Sequence, residues 1–75
     1  MEPNTFLIAW RGGNWRIGYD GQWYGSYESV VAAVVSAVRI ARSAPETQVI
    51  VRRENGSETL IWNRRFASEH RLVWR

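Results

Sequence analysis

Three turn dipeptides, Gly12-Gly13, Asp20-Gly21 and Asn55-Gly56, constrain this chain more than any other feature. Each tolerates the positive φ angles of a two-residue hairpin turn, and each is flanked by β-branched and aromatic residues. The spacing predicts a meander of strands over residues 5–11, 14–19 and 22–24, then a later hairpin of residues 47–53 and 57–63. Between them a helix is expected over residues 29–43, with Ser26 or Ser29 as N-cap and Pro45 as its stop. Glu28 then lies near the positive end of its dipole, and Arg39 and Arg42 near the negative end.

Two-residue turns fix register, and register assigns faces. Across Asp20-Gly21 the expected partners are Tyr19 with Gln22, Gly18 with Trp23 and Ile17 with Tyr24. Across Gly12-Gly13 they are Trp10 with Trp15, Ile8 with Ile17 and Phe6 with Tyr19. One face thereby collects Phe6, Ile8, Trp10, Trp15, Ile17, Tyr19 and Tyr24, a core surface for the helix, with Trp15 and Tyr24 reading as structural rings. The second hairpin adds Val49 opposite Trp62 and Val51 opposite Leu60, with Arg53 facing Glu58. The expected fold is a single small α+β domain of order β-β-β-α-β-β, an antiparallel sheet with one helix packed on its aromatic face. Its core spans residues 5–63, residues 64–75 form a basic, aromatic tail, and the connectivity of the two hairpins stays open.

Size makes the rings necessary. The chain has 75 residues, near the lower end of what folds without a staple, and no cysteine, so disulfides and thiolate metal sites are excluded. His70 is the lone histidine and reads as a tail residue, so neither a metal nor a cofactor is expected. Five Trp, three Tyr and two Phe supply the bulk that a short chain needs for a core, and burial in an oligomer is a second way to gain it. The longest apolar run, residues 30–35, falls far short of a membrane span, and the first residues lack a basic stretch followed by an apolar run. No membrane association and a cytoplasmic location are expected. All ten basic residues are arginine, a bias attributed to a GC-rich bacterial genome.

The layout of residues 6–62 resembles the small bacterial proteins grouped as domain of unknown function 2188. The matching positions are Trp15, Tyr24, Gly25, Tyr27, Ala33, Ala37, Ala41, Val49, Val51, Gly56 and Trp62, whereas the ending "NRRFASEHRLVWR" departs from the pattern. The resemblance implies a compact α+β fold and carries over no catalytic or binding residue.

Catalytic chemistry finds no foothold, so no enzyme is expected. Gly25-Ser26 stands at a strand-to-helix turn but lacks the second glycine of a nucleophile elbow, and no paired carboxylates share a predicted face. The glycines of residues 12–21 are followed by strands rather than a helix, which excludes a phosphate loop. The sequon Asn55-Gly56-Ser57 reads as a turn.

Two binding roles remain. On the sheet face away from the helix, Trp23 lies over Gly18, and Leu7, Ile50 and Ile61 join it in an apolar patch of the kind that marks a contact site. The helix adds an apolar arc wider than one sheet face needs. The partner expected is a second copy in a twofold dimer or an unidentified protein, and residues 66–74 are the competing cover. The alternative is weak nucleic-acid binding, because the net charge of +3 sits in the last third of the chain. There Arg52, Arg64, Arg65, Arg71 and Arg75 cluster near Trp62, Phe66 and Trp74.

Overall fold

The computed structural model describes residues 4–44 and 46–63. The elements are β1 (Asn4–Arg11), β2 (Asn14–Tyr19), β3 (Gln22–Tyr27), α1 (Val30–Ala41), β4 (Thr47–Arg52) and β5 (Glu58–Asn63). All five strands form one sheet in the order β3-β2-β1-β4-β5. The first two turns take the left-handed angles their dipeptides permit, with φ of 62° and 90° at Gly12 and Gly13 and of 51° and 79° at Asp20 and Gly21. Register follows from them: Trp10 pairs with Trp15, Ile8 with Ile17, Gly18 with Trp23 and Tyr19 with Gln22.

The sheet is mixed rather than antiparallel, because β1 and β4 pair in parallel at its centre, Leu7 opposite Ile50 and Ile8 opposite Val51. The helix is the reason. A run of 12 residues rises about 18 Å, close to the roughly 20 Å of a six-residue strand. It carries the chain from the end of β3 back across the sheet, so β4 starts beside the beginning of β1 and must run the same way. A backbone bond from Asn4 N–H to Glu46 carbonyl oxygen (3.1 Å) ties those two starts together.

Helix and sheet divide the work of filling the core. Ala33, Ala37 and Ala41 recur every four residues, share one helix face and are fully buried. Their single methyl groups let the helix settle close to a sheet surface that provides the bulk: Phe6, Ile8, Ile17, Val49 and Val51. Ser29 is the N-cap, its hydroxyl oxygen accepting from Ala32 N–H at 3.1 Å, and Ser26 belongs to β3. The helix gives way at Arg42, and the expected stop at Pro45 and the tail of residues 64–75 lie outside the described residues.

Two aromatic assignments need correction. Tyr24 is opposite Ile17 as expected, yet it is 48% exposed on an edge strand, and Tyr27 packs against the core instead. β3 extends to Tyr27 through a bulge, with Tyr27 opposite Trp15 and Gly25 at φ 71°; a side chain at Gly25 would meet the Tyr27 ring at 2.6 Å. Trp10 sits on the core side but is 47% exposed, in edge contact with Trp15, which does pack on the core.

The last turn also differs. Gly56 N–H donates to Arg53 carbonyl oxygen and Arg53 N–H to Ser57 carbonyl oxygen, with Gly56 at φ 88°. This is a three-residue loop closed by a left-handed glycine rather than a two-residue turn. The Asn55 side chain favours it by accepting from both Ser57 N–H and Ser57 hydroxyl. Adding one residue to the loop slips the register by one. Arg52, not Arg53, faces Glu58, and Val51 faces Thr59 rather than Leu60. A second bulge between the Val49 and Ile50 pairings absorbs the slip and returns Trp62 to its place opposite Val49.

Candidate contact surface

One face of the sheet is closed by α1. On the other, the pairings align one residue from every strand. Trp23 pairs with Gly18, Gly18 with Leu7, Leu7 with Ile50 and Ile50 with Leu60. Because partners directly opposite project to the same side, these residues form an apolar row across the full width of the sheet. No described helix or strand packs over it.

Gly18 makes the row continuous. Its missing side chain leaves room for the Trp23 ring, which lies flat over it: a methyl built there would stand 2.9–3.1 Å from three ring carbons. The Arg11 guanidinium sits over the same ring, 4.7 Å from its centroid. Gly18 and Arg11 therefore both pack on the indole, which keeps part of its surface exposed.

Polar residues border the row on both sides. Two residues along the strands towards the end of β1 come Arg16, Ala9, Arg52 and Glu58. Arg16 Nε donates to Gly25 carbonyl oxygen at 2.8 Å, and Arg52 pairs with Glu58 at 2.9 Å. Two residues the other way come Asp20, Thr5 and Gln48, with Gln48 Nε2 donating to Thr5 Oγ1 at 3.0 Å. Asp20 closes a shallow cleft of about 330 Å³ that Leu7, Gly18 and Trp23 also line.

Of the expected contact residues, Leu7, Trp23 and Ile50 come together in the row. Ile61 does not: it packs against the helix-side core, and Leu60 takes its place, 50% exposed. The same register slip explains both. Leu60, Arg11 and Asp20 are not among the expected contact residues. The signal for Leu60 was the stretch Glu54-Asn55-Gly56-Ser57, which also fits a longer loop with glycine at its left-handed position.

Of the expected nucleic-acid residues, Arg52 is in place but ion-paired with Glu58, and Arg64, Arg65, Arg71 and Arg75 lie outside the described residues. Among the described residues no group of three His, Asp or Glu could hold a metal ion, and no buried side-chain nitrogen or oxygen lacks a partner. No helix among them is long and apolar enough to cross a membrane. No family model matches the chain, and neither a curated protein nor a solved structure does.

Proposed function

We propose that this chain is a non-catalytic binding domain that acts by protein contact through the open face of its sheet. The apolar row from Trp23 through Leu7 and Ile50 to Leu60 carries the reading, since a helix covers the opposite face and nothing described covers this one. A contiguous apolar surface with a polar border is the anatomy of a protein interface. The edges of the sheet are poorer candidates. β3 bulges at Gly25 and β5 at Ile61, and bulged edges twist away from strand addition.

Nucleic acid is the second reading, favoured by Arg11, Arg16 and Arg52 around the row. It is the weaker one, because a base stacking on Trp23 must displace Arg11, and a phosphate on Arg52 must displace Glu58. A bacterial source and membership of the domain of unknown function 2188 group belong to the same proposal. They rest on the arginine-only basic composition and on residues such as Trp15, Tyr27 and Trp62.

Sedimentation of the full chain over a concentration series tests the contact reading. The expected result is a species heavier than 8.7 kDa that Leu7→Arg converts to a folded monomer. A wild-type chain that is monomeric throughout, yet binds a labelled oligonucleotide with steep salt dependence, would replace this reading with the second.

A further inference from the structure

We infer that a second copy of this chain covers the open face, related to the first by a twofold axis lying along the apolar row. The inference rests on the contact reading above and names its partner. Its support is the way charge is placed about the row. Arg16 stands two residues to one side of Gly18 on β2, and Asp20 two residues to the other, at the turn that ends the strand. The Asp20 carboxylate has no hydrogen bond or ion pair to any described residue, and Asp20 lines the open cleft beside Leu7 and Trp23. Arg16 spends Nε on Gly25 and meets no carboxylate among the described residues.

A twofold axis along the row turns one copy face down and reverses its strands. Trp23 then meets its own counterpart, and so do Leu7, Ile50 and Leu60. Whatever lies on one side of the row is set over what lies on the other. Arg16 of each copy comes over Asp20 of its mate, Ala9 over Thr5, and the Arg52–Glu58 pair over the Gln48 side. Stacked sheets lie about 10 Å apart, within the combined reach of an arginine and an aspartate. Twofold symmetry makes the pair twice.

The competing twofold axis, parallel to the strands, is disfavoured by the same residues. It sets Arg16 over Arg52 and Trp23 over Leu60, so like charges oppose at the border of an apolar contact. Face-to-face packing with the axis along the row also leaves the outer hydrogen-bonding edges of the bulged strands β3 and β5 out of the contact, and it leaves Val31 and Val35 of the helix exposed.

The test is charge reversal in the full chain, read by the dimer dissociation constant from sedimentation at low and high salt. Arg16→Glu and Asp20→Arg are each expected to weaken the dimer about tenfold, since two symmetry-related pairs are lost at once. The double variant is expected to recover to within about threefold of wild type, with all differences shrinking at high salt. Asp20→Asn keeps a residue type suited to the left-handed turn and removes only the charge, so it is expected to weaken the dimer less than Asp20→Arg does. Circular dichroism confirms that each variant is folded. Single reversals without effect, or a double variant no tighter than the singles, overturn the inferred axis. If Leu7→Arg still dissociates that dimer, the open-face reading survives the loss. If wild type dimerises and Leu7→Arg changes nothing either, both fall; if wild type never dimerises, the second copy is overturned alone and the oligonucleotide titration decides the contact reading.

Discussion

The two faces of the sheet are cut from the same strands and meet opposite fates. On β1, Phe6 and Ile8 point to the helix and are buried, while Leu7, between them, points to the open side and keeps part of its surface in solvent. On β4, Val49 and Val51 are buried under the helix and Ile50 is only half-buried on the other face. The faces differ both in the supply of covering elements and in composition: the helix side packs an apolar core, and the open side sets one apolar row between polar borders. The described residues form one helix, and alanines at every fourth position commit it to one side. The open side keeps an apolar surface that the described chain does not cover, and a border of charges gives that surface direction.

The largest effect should come from the closed face. Ile8 is fully buried in the middle of the central strand, and Ile8→Ala is expected to cost about 2–5 kcal/mol. That is much of the roughly 5–15 kcal/mol available to a small domain. Urea unfolding at low protein concentration measures it. Leu7→Ala, one residue along on the open face, should cost less than half as much there. Equal losses would mean that the two faces are equally closed.

Gly18→Ala should come next, at about 1–3 kcal/mol, because the added methyl meets the Trp23 ring at 2.9 Å and overpacks that contact. Moving the ring away from Gly18 would also change its contact with Arg11, and the Trp23 indole N–H resonance should shift. An unmoved resonance with unchanged stability would show that the ring does not rest on Gly18, and the row would lose its aromatic end.

How much of this was legible beforehand depended on how locally each feature is encoded. The first two turns, the pairing of Gly18 with Trp23 and the capped helix are dictated by residues close in sequence, and they could be read. The parallel pairing of β1 with β4 depends on where the helix delivers the chain, which no local pattern states. The third turn shows the sharpest limit. Asn55-Gly56 suits a two-residue turn, but the Asn55 side chain on Ser57 and the left-handed Gly56 select a longer loop. One residue of slip then exchanged Leu60 for Ile61 on the open face and Arg52 for Arg53 opposite Glu58. Tyr24 failed for a related reason: register placed it on the core side, but an edge strand with a bulge at Gly25 offers the core Tyr27 instead. The composition of the open face was thus readable, with one residue misassigned to it.

The claim that contact belongs to the open face has a rival inside the molecule. Val31 and Val35 on the outer side of the helix are 67% and 49% exposed, and they too are apolar and uncovered. Ile40 is exposed on the same helix, as are Ala32 and Arg39, and none of these is aromatic, whereas the row on the sheet spans five strands and carries a tryptophan. Amide spectra of the full chain, recorded from micromolar to millimolar concentration, separate the two most directly. Contact through the open face gives concentration-dependent shifts at Leu7, Gly18, Trp23, Ile50 and Leu60, with Val31 and Val35 unmoved. Shifts centred on Val31 and Val35, with the sheet residues silent, would contradict it.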